Sequence, residues 1–271
     1  MNAPQPCVSD VLLRRYAIHE IDAILQALDA DGFALVASAL PVALCSKSRE
    51  RIDALEPEHW DEVHARGGER HLDRYLCVFN RDAFWLELID RPGIIDVAEA
   101  SLGPDCHIIG ETAWRSLPGF RGDPVHVDYL PLEWPVGALA ESVRVPIFIL
   151  TAHFYICDVP QALAPTLVLP GSHRAGRAPR GAETTWAGRH AVPVLAQAGD
   201  CLLFRSDLWH AGSANRTARD VRYLVQVHYG RREMAQHFSP RLDWRFNPEV
   251  IAAATKRQKR LLGDHEPAAY D

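Results

Sequence analysis

Two histidines and an aspartate are the residues of this chain whose spacing points most clearly to chemistry. His126 and Asp128 stand two residues apart in His126-Val127-Asp128, and His210 follows in the stretch 207–215. In a β-strand, residues i and i+2 point to the same side, so His126 and Asp128 can bind one ion while Val127 packs on the other side. Two imidazoles and one carboxylate fill one face of an octahedron and leave three positions for an anionic co-substrate and O2. The pattern predicts a mononuclear non-heme iron(II) site.

The pattern His-x-Asp occurs twice more, in His59-Trp60-Asp61 and in His71-Leu72-Asp73. Both copies lie between Glu56 and Arg74, a stretch that is crowded with charge and lacks apolar alternation. Such a stretch is typical of a solvated helix or loop with polar surface residues. His126-Val127-Asp128 instead follows an apolar stretch and a Pro-Gly turn, which favours a strand end beside a cavity. We therefore expect only this copy to bind the metal.

The residues after His210 predict a partner for a carboxylate. The stretch 201–205 has the pattern of a short buried strand, and Arg222 opens an alternating strand that runs to Tyr229. A metal histidine at the end of one strand and an arginine at the start of the next place a guanidinium near the metal. The two parallel donors of a guanidinium match a carboxylate, such as the distal end of 2-oxoglutarate.

The chain resembles the phytanoyl-CoA dioxygenase family of iron(II)/2-oxoglutarate-dependent oxygenases, over most of its length. The resemblance is carried by His126-Val127-Asp128, by the stretch 164–173 and by the stretch 210–215 with the arginine that follows. It implies that His126, Asp128 and His210 bind iron, and that an arginine shortly after the last histidine binds 2-oxoglutarate. Arg219 and Arg222 lie on either side of the usual family spacing. We favour Arg222, since it directly precedes a strand as the family's arginine does, and Arg219 is the alternative.

Other side chains are candidates for contact with the co-substrate or the substrate. Thr166 matches a family position near the co-substrate, and its hydroxyl can donate to a carboxylate. Ala164 stands where the family usually has glycine. His173 lies in a Pro-Gly-Ser-His turn and is expected to contact substrate or backbone, but not the metal. Four aromatic residues are predicted to contact the substrate and favour one with apolar surface: Trp114, Tyr129, Trp134 and Trp209.

The resemblance implies an enzyme that couples oxidation of its substrate to the conversion of 2-oxoglutarate and O2 into succinate and CO2. We expect hydroxylation of a small specialised metabolite or an amino-acid-like molecule. Desaturation, ring formation and epimerisation use the same iron site and stay open. Two rival interpretations are a cupin-like metal-dependent dioxygenase or isomerase that does not use 2-oxoglutarate, and a non-catalytic ligand-binding barrel. If turnover requires 2-oxoglutarate, the cupin-like enzyme is excluded. Any catalytic activity excludes the non-catalytic barrel.

Hydrophobic patterning predicts a helical N-terminal part followed by many short strands, a mainly β fold with flanking helices. The family resemblance implies a double-stranded β-helix, or jelly-roll barrel. We expect one domain over 1–271, with a helical part at about 1–105, a jelly-roll core at about 106–232 and a C-terminal extension at 233–271. The predicted helices cover about 18–29, 41–55 and 83–102, the last split at Pro92-Gly93. The predicted strands lie at 33–37, 107–116, 124–129, 147–157, 166–169, 192–195, 201–205 and 222–229.

The composition of the chain limits the classes of molecule that it is expected to bind. The chain of 271 residues is 48% hydrophobic and 24% charged, which is ordinary for a globular enzyme. Its net charge of -6 provides no basic surface for nucleic acid, and no apolar run is long enough to cross a membrane. The six cysteines show no C-x-x-C pair, so we expect free thiols. The sequence thus predicts a soluble, cytoplasmic enzyme with a small-molecule substrate, and it does not predict an oligomeric state.

Overall fold

The computed structural model describes residues 13–57, 71–131, 133, 139–140, 142–181, 183–238 and 242–267. The α-helices in these ranges are α1 (Ile21–Ala30), α2 (Val42–Asp53), α3 (Leu86–Ile89), α4 (Ile94–Leu102), α5 (Pro248–Ala253) and α6 (Lys256–Leu261). Short 3-10 helices cover Val78–Asn80, Ala83–Trp85 and Ser172–Ala175. The strands are β1 (Arg15–Tyr16), β2 (Phe33–Val36), β3 (Leu72–Leu76), β4 (His107–Ser116), β5 (Ile149–Tyr155), β6 (Thr166–Val168), β7 (Thr185–Trp186), β8 (Arg189–His190), β9 (Val192–Pro193), β10 (Cys201–Arg205), β11 (His210–Gly212) and β12 (Arg222–Gly230).

Two sheets face each other. The larger has seven strands in the order β1-β2-β10-β5-β12-β4-β3, and the smaller has the order β11-β6-β9. A separate two-stranded ribbon joins β7 and β8. One apolar cluster between the two sheets includes Tyr155 and Phe204 from the large sheet and Val168 from the small one. The mainly β fold with flanking helices is confirmed, and it belongs to the double-stranded β-helix type, although the strands of the described residues form no closed barrel.

Strand β10 shows how the large sheet is buried on both faces. All five of its residues are buried. Cys201 and Leu203 join the core that the sheet shares with the helices, whereas Leu202 and Phe204 join the cluster between the sheets. Side chains alternate between the faces of a strand, and a strand covered on both faces is apolar throughout. The face toward the small sheet is the one that also carries the polar side chains of the site described below.

The predicted helices at the N-terminal end are confirmed. The long helix expected at 83–102 is interrupted at the predicted Pro-Gly pair, and α4 begins after Gly93. Gly93 adopts a φ of 81°, a left-handed conformation that favours glycine, and a Cβ there would overlap the side chain of Ile18. Its N–H donates to the Asp96 carboxylate at 2.9 Å, which caps the new helix.

The strand predicted at 124–129 is absent. This segment has one isolated β-bridge, between His126 and His210. Its other backbone hydrogen bonds do not follow the pattern of a β-strand. The N–H groups of Asp128 and Tyr129 both donate to the carbonyl of Ser206, at 3.0 and 3.2 Å. A regular strand would not direct two successive N–H groups to one acceptor, because successive groups point to opposite sides.

The prediction of a solvated stretch from Glu56 to Arg74 is wrong at its C-terminal end. Residues 72–76 form the edge strand β3, which pairs with β4. Asp73 is 3% exposed, and its carboxylate accepts from Arg115 of β4 at 2.6 Å. A local pattern cannot show this partner, since Arg115 lies far along the chain. The copy at His59-Trp60-Asp61 falls outside the described residues.

Glu111 of β4 lies on the helix side of the large sheet. It pairs with Val227 of β12, a residue of the core shared with the helices, and paired residues point to the same face. Glu111 is 1% exposed, and neither carboxylate oxygen has a hydrogen-bond partner among the described residues. Burial raises the pKa of this carboxyl well above its usual range. The native state therefore holds a proton that the unfolded chain loses as the pH rises above the ordinary glutamate range.

Glu111→Gln is expected to become more stabilising as the pH rises. A group whose pKa is raised in the folded state does not change the free energy of unfolding at low pH, and lowers it once the pH exceeds the pKa of the unfolded state. Glutamine does not titrate, so the variant lacks this loss of stability. We expect the melting temperature of the variant to exceed that of the parent by about 5 °C at pH 8, with a smaller difference at pH 4. Differential scanning calorimetry at both pH values measures this. The exposed Glu56→Gln is the control, and a difference independent of pH would contradict the expectation.

Two further sequence predictions concern cysteines and membranes. The five described cysteines are all free thiols, and Cys7 lies outside the described residues. Among the described helices, none is both long enough and apolar enough to span a bilayer.

Candidate metal centre and adjoining cavities

His126, Asp128 and His210 converge at one edge of the facing sheets. The His126–His210 bridge brings the two rings to a centroid distance of 4.3 Å. The Asp128 Oδ1 atom lies 3.7 Å from Nε2 of His126 and 3.5 Å from Nε2 of His210. One ligand atom from each residue lies within 4.8 Å of the other two. Three ligand atoms at such distances can surround one metal ion.

The other nitrogen of each histidine is engaged by the backbone. Nδ1 of His126 bonds the carbonyl of Pro124 at 2.9 Å, and Nδ1 of His210 bonds the carbonyl of Leu208 at 3.0 Å. A carbonyl only accepts, so each Nδ1 carries the proton and each Nε2 keeps its lone pair. Metal-binding histidines are oriented by this type of second bond. The residues present therefore fit a divalent metal of the iron(II) type.

The electrostatics favour an ionised carboxylate between the imidazoles. Burial opposes ionisation of Asp128, but His210, and to a smaller extent His228 and His126, outweigh it, so the pKa of Asp128 is lowered. Burial lowers the pKa of His126, which favours the neutral ring that a metal requires. Burial acts the same way on His210, but Asp128 outweighs it and raises the pKa of that ring. A bound cation would replace the proton that His210 otherwise shares with Asp128.

The structure separates the two candidate arginines. Arg222 is 6% exposed and lines a cavity of about 420 Å3 that also contains the three candidate ligands. Its Nη1 donates to the carbonyl of Ala164. Arg219 is exposed and is not among the residues that line this cavity. The loop between His210 and β12 thus leaves Arg219 exposed to solvent and turns Arg222 toward the cavity.

Thr166 and Ala164 lie beside Arg222. The hydroxyl of Thr166 accepts from the Tyr155 hydroxyl at 3.0 Å, so its own proton is available to another acceptor in the cavity. Ala164 keeps a left-handed conformation, with a φ of 48°, where glycine is usual in the family. This conformation costs about 1 kcal/mol, which is compatible with the fold. In it the Ala164 carbonyl accepts the hydrogen bond from Arg222.

Of the residues predicted to contact the substrate, Trp114 lies at the cavity and the other described ones do not. Trp114 lines the cavity. Tyr129 is 36% exposed and is not among the lining residues. Trp209 is fully buried and donates to the Arg177 carbonyl, and Nε2 of His173 bonds the Asp29 carbonyl at 3.1 Å. The structure brings neither Trp209 nor His173 to the cavity, because both pack in the protein interior. Trp134 lies outside the described residues.

Sequence reasoning missed three polar residues of the cavity: Asp123, His153 and Gln226. Burial raises the pKa of Asp123. Nε1 of Trp114 donates to Oε1 of Gln226 at 2.7 Å, and Nε2 of Gln226 lies 2.8 Å from Nε2 of His153. Because tryptophan only donates, this orientation of the amide makes His153 an acceptor at Nε2. The alternation of β5 and β12 was a usable signal, since His153 and Gln226 are paired polar residues on the inner face, the face that also carries Arg222.

A second cavity, of about 530 Å3, adjoins the first. Three residues line both: Trp114, Asp128 and Gln226. The second cavity extends from the candidate metal centre over β3, β4 and β12 to the C-terminal segment that contains Phe238 and Trp244. A molecule in it could therefore reach the carboxylate of Asp128 without lying against Arg222, which lines the first cavity and not the second.

The chain is similar to known proteins in sequence and in fold. A family model described as phytanoyl-CoA dioxygenase matches residues 28–223. An uncharacterised protein of Mycobacterium tuberculosis is 25% identical over 253 residues, which cover 90% of this chain and 86% of that protein. A protein of Aspergillus aculeatus named dioxygenase aneA is 30% identical over 78% of this chain and 73% of its own length.

A solved structure with the same fold is the epimerase SnoN from nogalamycin biosynthesis, in complex with Fe3+, alpha ketoglutarate and nogalamycin RO. It has a TM-score of 0.60 and 19% sequence identity, over 78% of this chain and 83% of SnoN. At this identity the likeness shows the fold.

Proposed function

Since this chain belongs to the phytanoyl-CoA dioxygenase family, we propose that it is a dioxygenase that hydroxylates a small molecule and consumes 2-oxoglutarate. Iron(II) is the cofactor of the family, and 2-oxoglutarate and O2 are its co-substrates. In this proposal one domain, spanning 1–271, carries the activity. The observation that supports it most directly is the convergence of Nε2 of His126, Nε2 of His210 and a carboxylate oxygen of Asp128 beside a cavity that ends at Arg222.

The proposed roles follow from the donor types. His126, Asp128 and His210 hold iron(II) through two neutral nitrogens and one carboxylate. Arg222 binds the distal carboxylate of 2-oxoglutarate, and Thr166 donates to the same group. Bound iron and 2-oxoglutarate supply the oxidation of substrate by O2, with release of succinate and CO2. The chain itself contributes orientation, a fixed charge at Arg222 and exclusion of water by the buried walls.

The substrate is proposed to occupy the second cavity. Trp114 and Gln226 stand between the two cavities, and their hydrogen bond fixes the indole ring as a wall. Substrate on one side of this wall and 2-oxoglutarate on the other would meet only at the metal, beside Asp128. The apolar faces of Trp114, Phe238 and Trp244 favour a substrate with apolar surface.

Hydroxylation is distinguished from epimerisation by the product. SnoN, which shares the fold, is an epimerase, and epimerisation leaves the mass of the substrate unchanged. Hydroxylation adds one oxygen atom, which mass spectrometry detects with 18O2. Metabolites are screened as substrates, and incorporation of the label into a product supports the proposal. An unlabelled product with the mass of its substrate would indicate epimerisation instead of hydroxylation.

Binding of the cofactors can be tested without the substrate. Iron(II) and then 2-oxoglutarate are added to the protein under nitrogen, and the visible absorption of the chelate is recorded. We expect a weak charge-transfer band that saturates with 2-oxoglutarate. Its absence from folded protein that binds iron would favour the cupin-like enzyme without 2-oxoglutarate. Failure to bind iron would favour the non-catalytic barrel.

A further inference from the structure

The paired strands β4 and β12 form part of the floor of the second cavity. Gly110 lies opposite His228, and Thr112 lies opposite Gln226. Side chains alternate along a strand, so Gln226 and His228 share the inner face with Arg222, and their partners on β4 point to the same side. The floor therefore presents three polar side chains, those of Thr112, Gln226 and His228, and has no side chain at Gly110.

The backbone does not require a glycine at position 110. The pairing of β4 with β12 shifts register between His228 and Tyr229, beside Gly110. Such a bulge needs a glycine where φ is positive, and Gly110 has no positive φ. Because a glycine weakens the interior of a strand, its presence inside β4 needs another reason.

Crowding does not require a glycine there either. Apart from its chain neighbours, a Cβ at position 110 would meet only one atom of the described residues within 4 Å, Nδ1 of His237 at 3.9 Å. Gly230 in β12 is different, since a Cβ there would lie 2.6 Å from the side chain of Ile109. The space above Gly110 is thus open, as expected where a ligand approaches the backbone of a strand.

His228 borders this space with a ring of fixed orientation. Its Nδ1 lies 3.0 Å from Oγ1 of Thr151, the residue that pairs with it across β5 and β12. This contact leaves Nε2 for a ligand in the cavity. A threonine hydroxyl can donate to Nδ1 or accept from it, so Nε2 can be a donor or an acceptor. A hydroxyl group of a ligand, which both donates and accepts, matches either form.

Thr112 borders the same space, two residues further along β4. It is 8% exposed, lines the cavity, and has no hydrogen-bond partner for its hydroxyl among the described residues. Thr112 and His228 are diagonal neighbours on one face of the sheet, a spacing of about 7 Å. One hydroxyl group between them can therefore bond both side chains.

Aromatic rings line another part of this cavity. Phe238 and Trp244 lie at a centroid distance of 5.1 Å, and both contribute to the lining. Aromatic side chains pack well against the rings of a ligand. A molecule that combines a ring system with a hydroxyl group would use both the aromatic and the polar part of the cavity.

We infer that the space above Gly110 receives a hydroxyl group of the substrate, which His228 and Thr112 bind, while the ring system of the substrate packs against the two aromatic side chains. The substrate class is a cyclic alcohol or a phenol. Asp128 lines the same cavity, so a hydroxyl group fixed at His228 determines which carbon atom approaches the metal. The description of this molecule as the substrate rests on the proposed function, but the binding site does not.

The test uses the full-length protein and two probes of similar shape, 2-naphthol and 2-methylnaphthalene, of which only the first has a hydroxyl group. Equilibrium dialysis under nitrogen measures their affinities with saturating iron(II) and 2-oxoglutarate, which fill the first cavity, and again without them. We expect His228→Phe and Thr112→Val each to weaken binding of 2-naphthol by about 10-fold and to change that of 2-methylnaphthalene by less than about 2-fold. The exposed His190→Phe and Thr185→Val are the matched controls.

Gly110→Val fills the space itself. It should weaken binding of both probes by about 10-fold or more, and it should raise the melting temperature by about 2 °C, since a β-branched residue replaces a glycine inside a strand. Gly230→Ala is the contrasting variant, and it should lower the melting temperature because its Cβ would overlap Ile109. Melting temperatures also verify that the other variants fold.

Several results would overturn the inference. These are no saturable binding of 2-naphthol, an equal loss of affinity for both probes in His228→Phe, and an unchanged affinity for 2-naphthol in Gly110→Val. Competition between 2-naphthol and 2-oxoglutarate would assign the probe to the first cavity, which also overturns it. Failure of the proposed function is recognised separately, as the absence of the visible band with iron(II) and 2-oxoglutarate. The dialysis without these ligands still tests the binding site in that case.

Discussion

Asp128→Ala is expected to remove iron(II) binding and, with it, the visible band and all measurable turnover. Asp128 supplies the one carboxylate among the three converging groups, and its oxygen lies between the two imidazoles. Without it, the remaining site has two neutral ligands, and affinity for a divalent metal falls by about 100-fold or more. The fold should persist, since the carboxylate of Asp128 belongs to neither sheet and lies partly exposed.

Iron(II) affinity is measured directly by anaerobic calorimetry, and the band is measured at saturating 2-oxoglutarate. The matched control is Asp105→Ala, which removes an exposed carboxylate in the turn before β4. Wild-type iron affinity in Asp128→Ala, with a normal band, would mean that the three residues are not the metal centre. Loss of the band in the control as well would point to a general effect of charge.

Arg222→Met is expected to weaken 2-oxoglutarate binding by about 100-fold, because it removes the buried cation that faces a carboxylate. Arg222 is 6% exposed, and the described cavity lining contains no second arginine. Methionine keeps most of the apolar volume, so the change isolates the charge. Iron(II) affinity should stay near that of the parent. Titration of the visible band with 2-oxoglutarate gives the dissociation constant.

Arg219→Met is the matched control for this variant, and it should leave the constant unchanged because Arg219 is exposed. The reverse result, with a normal constant in Arg222→Met and a weakened one in Arg219→Met, would assign the carboxylate to the other arginine. Equal weakening in both variants would indicate that long-range charge, rather than a direct contact, determines the affinity.

The elements around the site were predictable from local patterns to different degrees. Helix α1 and strand β10 follow from their apolar spacing, because each buries a continuous surface in one regular element. The segment 124–129 was predicted as a strand and has only a bridge at His126. Its backbone bonds to Ser206, a partner in a distant loop that no local period encodes. Strand β3 was missed for the same reason, since it pairs with β4 and Asp73 bonds Arg115, which lies far along the chain.

The sequence by itself determined the residue types of the candidate centre. The spacing of His126 and Asp128 and the later His210 predicted an iron(II) site, because ligand chemistry depends on residue type, and the family resemblance implied the use of 2-oxoglutarate. The spacing did not decide between Arg219 and Arg222, since three residues separate an outward from an inward side chain at the end of a loop.

Only the tertiary structure decided which polar and aromatic residues meet. It buries Trp209 and His173 elsewhere, links Trp114 to Gln226, and brings Arg74 to a cavity with His228. These residues come from separate strands, and the antiparallel register decides which of them are neighbours. Register depends on the burial of whole sheet faces, a property of the assembled chain that no short segment contains.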